Sequence, residues 1–266
     1  MATSTDSSAE TVPWYHTIDL PSGPTPGEYD LRAAVKRVPL PDLAGKRCLD
    51  VGTHDGFWAY EMEKRGASEV LAIDIEDPEV IDWPEPRPVI TEGLRRSVAQ
   101  RKRAFSIAHD ALGSKVQHRY LSVYEASPEA IGTFDFVFVG ALLHHLRDPV
   151  GALIALRGVT DRHICVSAAI SVSKSIVYPT APVAELITQS GAPFWELPNI
   201  VGARRQLESA GFRVVKTGRP YLQPYGAGTP TERDRHFGRG MIRRTLGRSM
   251  GHFGVAHIGI LAERLP

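Results

Sequence analysis

Asp50, Gly52, Gly56 and Asp74 carry the strongest chemical signal in the sequence. They lie in CLDVGTHDGFWAYEMEKRGASEVLAIDI, which reads as a strand, a glycine turn, a helix, a second strand and a terminal acid. In an open α/β sheet such a turn brings its backbone close to a ligand beyond the carboxyl ends of the strands. Glycine at positions 52 and 56 removes the Cβ atoms that would block that approach. Asp74, ending the second strand, is placed to accept hydrogen bonds from both hydroxyls of an adenosine ribose.

A nicotinamide or flavin dinucleotide asks for G-x-G-x-x-G starting at the first turn glycine. Counted from Gly52, the second and third glycines fall on His54 and Phe57, which argues against close contact with a pyrophosphate. A sulfonium nucleoside with an amino-acid tail asks for an acid near its ammonium group, a short glycine turn and a second acid for the ribose. Asp50, Gly52, Gly56 and Asp74 match that set.

On these residues, together with FDFVFVGALLHHLRDP at 134–149, the chain resembles the class I S-adenosylmethionine-dependent methyltransferases. Their first motif is an acid followed by alternating glycines, and His54 here replaces the middle glycine. The resemblance implies a Rossmann-like three-layer α/β sandwich with a mostly parallel seven-stranded sheet. It implies S-adenosyl-L-methionine as cofactor, held by Asp50, Gly52, Thr53, His54, Gly56, Asp74 and Ile75. Leu121, Ser122 and Val123 map to the adenine contact, and Gly140 and the residues up to His145 to the reacting methyl group. More narrowly, residues 14 to 216 look like the bacterial transfer-RNA wobble-uridine (methoxy/carboxymethoxy) methyltransferases and their uncharacterised relatives. The segments concerned are LDVGTHDGFWAYEMEKRGA, RAFSIAHDALGSKV, GALLHHLRDP and FWELPNIVGARRQLESAGF. Those that use a carboxylated cofactor carry a lysine for the extra carboxylate. No lysine precedes Lys36, so ordinary S-adenosylmethionine is expected.

His144 and His145 follow a strand and precede the Asp148-Pro149 helix start, which makes them the candidate catalytic bases. The alternative is that His144 only satisfies backbone groups at the strand end. Adjacent histidines on an extended turn diverge and no nearby acid pair completes a site, so no metal is expected. Trp14 and Tyr15 lie in an arm ahead of the domain and are candidate substrate contacts if the arm folds over the cofactor as a lid; the alternative is surface packing. Phe194 and Trp195 are candidates for the acceptor pocket, with core packing as the equal alternative. Trp58 and Tyr60, on the first helix, read as core.

These residues are positioned by short Val- and Ile-rich runs alternating with helical segments, the pattern of a parallel sheet covered on both faces. Strands are expected at 47–52, 69–74, 116–121, 134–140, 163–170, 212–218 and 255–265. The longest helix is expected at 92–112, with Val98, Phe105, Ala108 and Leu112 on one face and a basic, solvated remainder. Ser127-Pro128, Asp148-Pro149 and Asn199 announce helix starts. Residues 1–45 read as an N-terminal arm and short helix, and 46–266 as the cofactor-binding domain with an insertion at about 218–252.

Lys plus Arg number 31 and Asp plus Glu 30, so the net charge of +1 gives no general attraction to nucleic acid or anionic membrane. No apolar stretch approaches the roughly 20 residues of a membrane span, and MATSTDSSAE has no signal-peptide pattern. The expected compartment is the cytoplasm. Cys48 and Cys165 fall in apolar runs and read as reduced core residues. The leading expectation is methyl transfer to a small-molecule acceptor, with oxygen as the favoured atom and a homodimer left open. A transfer-RNA methyltransferase is the alternative, supported by Arg233, Arg235, Arg239, Arg243, Arg244 and Arg248. A non-catalytic cofactor-binding protein, motivated by His54, is the third.

Overall fold

The computed structural model describes residues 12–188, 192–229 and 255–266. Its centre is one sheet, built from β1 (Arg47–Val51), β2 (Glu69–Asp74), β3 (Gln117–Tyr120), β4 (Phe134–Gly140), β5 (Thr160–Ala169), β6 (Phe212–Thr217), β7 (Tyr221–Gln223) and β8 (Val255–Arg264). The main order is β6-β8-β5-β4-β1-β2-β3, with β7 also paired to β8. Strands β3, β2, β1, β4 and β5 are mutually parallel; β8 runs antiparallel to β5, and β6 and β7 antiparallel to β8. The seven expected strands are all present, and β7 lies inside the stretch read as an insertion.

Helices α1 (Phe57–Lys64), α2 (Glu92–Leu112), α3 (Pro149–Val159), α4 (Val172–Val177) and α5 (Ile200–Ser209) follow the strands. Successive strand residues point to opposite faces, and both faces are apolar. Cys48, Phe136, Phe138 and Cys165 pack with α1 and α2, whereas Leu49, Val137, Val139 and Ile164 pack with α3 and α5. Helix starts follow the expected caps: the side chains of Ser127 (ahead of the one-turn helix Pro128–Ile131), Asp148 and Asn199 accept from the N–H groups of Ala130, Gly151 and Gly202. Helix α2 has its expected bounds. Ala104, Phe105 and Ala108 are buried, while Leu112 is exposed. Arg95 on its basic face is paired with Asp77 and Glu79.

The arm is folded onto the domain. Trp14, Ile18, Leu20, Leu31, Val35, Val38 and Leu43 belong to the same buried cluster as α1 and α2. Among the described residues no helix is long and apolar enough to cross a membrane.

Candidate active site

The turn after β1 folds over the end of β2. The N–H groups of Gly52 and Thr53 both donate to the Ile73 carbonyl, at 2.9 and 3.2 Å, and Gly56 N–H donates to the Thr53 carbonyl at 2.9 Å. Gly52 and Gly56 have φ of 72° and 92°, and a Cβ at Gly56 would stand 2.5 Å from the Tyr60 ring. His54 is also left-handed, at φ 55°. A side chain there is strained, although histidine tolerates it better than most. Its ring stacks on Tyr15 of the arm, centroids 4.3 Å apart and planes 23° from parallel. That contact offsets strain that a glycine would not have had.

The acids are held deeply. Asp74 accepts from His54 N–H at 2.9 Å and from its neighbour Ile75 N–H at 2.8 Å, and burial pushes its carboxyl up. Asp50 is 1% exposed, and burial pushes its carboxyl up to about 7. Its Oδ2, and Thr53 Oγ1 beside it, are buried polar atoms without a hydrogen-bond partner among the described residues.

Asp55 was not singled out in the sequence, yet it ties the arm to the turn. Its Oδ2 accepts from the N–H groups of Tyr15 and His16, at 3.0 and 2.6 Å, and its Oδ1 meets His16 Nδ1 at 2.5 Å. Burial alone would push its carboxyl up. The His16 ring, the hydrogen bonds it makes and nearby His54 outweigh this and hold Asp55 below the usual carboxylate range. A signal existed only in retrospect: an acid inside a turn, with its partner 39 residues away.

Two adjoining cavities open at this turn and share Gly52, His54, Asp74, Leu142 and His145 in their walls. The larger, about 250 Å³, is mostly apolar and includes Ile75, Leu121, Ser122 and Val123. The smaller, about 150 Å³, is more polar and includes Tyr15, His16, Asp50, Thr53, Trp58 and Gly140. Its far wall carries Ser167, Tyr221 and Gln223; the Ser167 and Tyr221 hydroxyls are 2.5 Å apart. Tyr221 and Gln223 come from β7, too short to be recognised as a strand in the sequence. Burial pushes the Tyr221 phenol up, which keeps it protonated.

The paired histidines separate. His145 lies in the wall of both cavities, and its Nδ1 donates to the Pro193 carbonyl at 2.7 Å. Burial lowers its pKa, the Pro193 bond opposing this. His144 instead lines a small separate cavity with Glu196 and Gln206, and burial with its histidine neighbours depresses it well below the ordinary value. Trp14 is 5% exposed in the arm-side core and lines neither large cavity. Phe194 stacks on the His144 ring and packs at a tilt against that of His145. Trp195 donates from Nε1 to the Asp82 carbonyl at 2.8 Å. Neither Phe194 nor Trp195 lines the two cavities, because their large rings are taken up by packing.

Asp82, also missed in the sequence, closes the apolar cavity. Its carboxylate accepts from Tyr124 Oη at 2.7 Å and from Arg147 N–H and Nη2 at 2.9 and 3.1 Å. The six arginines of the last insertion lie outside the described residues.

Residues 26–158, half of the chain, match the methyltransferase-domain family. The chain belongs to this family. The chain is 32% identical over 114 residues to a ubiquinone biosynthesis O-methyltransferase of Xanthomonas oryzae, covering 43% of this chain and 38% of that one. It is 25% identical over 179 residues to a tRNA U34 carboxymethyltransferase of Ectopseudomonas mendocina, covering 66% and 47%. The chain thus spans less than half the length of these curated relatives. The N-terminal domain of EvdMO1 with SAH bound has the same fold, with a TM-score of 0.55 at 15% identity over 97% of this chain and 94% of that one. The sheet order and the first motif place the methyltransferase domain in class I.

The residues present fit S-adenosylmethionine. Asp50 offers an unpartnered buried oxygen to an ammonium group, Asp74 stands at the junction of the cavities, and the apolar cavity beyond Ile75 suits an adenine.

Proposed function

We propose that the chain is an S-adenosylmethionine-dependent methyltransferase of the cytoplasm, acting on an oxygen of a small uncharged acceptor with His145 as proton acceptor. The carrying observation is the wall chemistry of the polar cavity. His145, Ser167, Tyr221 and Gln223 present an imidazole, hydroxyls and an amide, and neither cavity has a lysine or arginine in its wall among the described residues. A phosphate-bearing or carboxylate acceptor would ask for such a cation.

When bound, S-adenosylmethionine supplies a methyl group on a positively charged sulfur that leaves as a neutral thioether. The chain's own task is alignment and exclusion of water. Because the Pro193 carbonyl can only accept, His145 carries its proton on Nδ1 and keeps the Nε2 lone pair for a hydroxyl proton. Burial keeps the ring neutral at neutral pH, which is the form a base needs. Ser167 and Tyr221 then orient the acceptor through their paired hydroxyls. The likeness to a relative named for O-methylation supports oxygen as the acceptor atom.

A second reading, methylation of transfer RNA, is supported by the U34 relative, which aligns over 66% of this chain. Labelled cofactor offered with fractions of small metabolites and of unmodified RNA separates the two: the proposal expects label in the metabolites. Binding of RNA through the arginines of the insertion would weaken steeply with salt, and binding of a neutral metabolite hardly at all. Calorimetry with S-adenosylmethionine alone tests the whole reading. No heat of binding means a domain that has lost its cofactor.

A further inference from the structure

The cofactor reading leaves one charge without a receiver. The amino-acid tail of S-adenosylmethionine carries a carboxylate as well as an ammonium, and a buried carboxylate is costly without a donor. Asp50 suits the ammonium. No arginine or lysine lines either cavity among the described residues. Four backbone donors of the turn are already committed: Gly52 and Thr53 to Ile73, His54 to Asp74, and Gly56 to Thr53. The N–H groups of Tyr15 and His16 are taken by Asp55.

Beside Asp50 the cavity then offers the neutral Thr53 hydroxyl and the His16 ring, and of these two only the imidazole can carry a positive charge. It lines the polar cavity beside Asp50 and Thr53, is 6% exposed, and packs 5.3 Å from Phe57 at the start of α1. Its Nδ1 is bound to the fully buried Asp55, which leaves Nε2 as the nitrogen for the cavity. We propose that His16 receives the α-carboxylate of the cofactor as an imidazolium, donating Nδ1–H to Asp55 and Nε2–H to the carboxylate, so that the arm completes the cofactor site. This rests on the S-adenosylmethionine reading above. Asp55 is a positioning residue, since it acts through the imidazole. The arm is therefore more than a cover: docking of the arm and binding of the tail share one dyad.

The test compares S-adenosylmethionine with its decarboxylated form, which differs only in that carboxylate, and with 5′-methylthioadenosine, which has no tail. Calorimetry on the wild-type chain is expected to show a preference of roughly 10- to 100-fold for the carboxylated form, the range of a hydrogen bond to a charged group. His16→Asn keeps a donor near Asp55 but deletes the distal nitrogen. It should abolish the preference while binding decarboxylated cofactor and methylthioadenosine as the wild type does. His16→Gln, whose amide reaches the position of Nε2, should restore part of the preference. Asp55→Asn should reduce it by releasing the ring.

Equal wild-type affinity for the two forms overturns the proposal. So does a loss in His16→Asn that is equal for all three ligands, because that is arm undocking rather than a lost contact. Unchanged preference in His16→Asn overturns it as well. If the wild-type chain binds none of the three, the cofactor reading itself falls, which is a different result from any of these.

Discussion

Asp50→Asn tests the electrostatics of the site in two opposite directions. In the protein without cofactor, burial raises the Asp50 carboxyl from 3.8 to about 7. Three pKa units at about 1.36 kcal/mol each make ionised Asp50 a burden of roughly 4 kcal/mol on the folded state. The sign follows from linkage: with the folded pKa above the unfolded one, stability is present at low pH and is lost as pH rises through about 7. Between pH 5 and pH 8 the wild type should lose roughly 2 to 3 kcal/mol more than the variant, whose amide does not titrate. For a chain of 266 residues that difference is a melting-temperature gap opening by roughly 5 °C. Scanning calorimetry of both proteins over that pH range, without ligand, reads it directly. Adding S-adenosylmethionine should reverse the ranking, because its ammonium stabilises the carboxylate and gains less from an amide. Melting temperatures that fall in parallel with pH, or a variant that binds cofactor as tightly as the wild type, would refute the assignment of Asp50 to the ammonium.

His145→Ala should lower turnover by about 10²- to 10³-fold, as loss of a general base does, with a small effect on cofactor affinity. Since burial lowers its pKa, the acid limb of the rate profile should lie below the ordinary histidine value of 6.5. His144→Ala should leave that limb in place, because its ring faces the separate cavity; a shift of the limb would reassign the base. Gly56→Ala should destabilise the fold by more than about 2 kcal/mol in chemical denaturation, since φ is 92° and the Tyr60 ring is held by its bond to the Phe105 carbonyl. A near-neutral change would mean the turn can rearrange. Asp82→Ala should weaken cofactor binding about tenfold by freeing the wall closed by Tyr124 and Arg147. Burial notwithstanding, those partners depress the Asp82 carboxyl, so the closure holds above the usual carboxylate range and is lost as pH falls through the depressed value. Titrating binding at acid pH checks this.

The sheet was legible in the sequence because its signals are local. Runs such as FDFVFVG and HICVSAAI place apolar residues on both faces of a strand, and only a strand buried on both sides needs that. Helix starts at Ser127, Asp148 and Asn199 were readable for the same reason, since a cap and its N–H lie three residues apart. The cofactor turn was readable from Asp50, Gly52, Gly56 and Asp74, whose spacing follows from one strand-turn-helix-strand unit.

What escaped depends on which way a side chain turns and on what comes from far along the chain. Trp14 and Tyr15 are neighbours in the arm, yet one enters the core and the other lines the cavity. His144 and His145 share one short turn, and only its seating against Pro193 and Phe194 selects the second for the cleft. Asp55, Asp82 and Tyr221 take their roles from partners 39, 65 and 54 residues away. The sequence by itself therefore determined the layers and the nucleoside-binding turn, because periodicity and capping act within a few residues. Tertiary structure alone decided which imidazole faces the two cavities and that the arm lines one of them, because both depend on contacts made only once distant segments are packed.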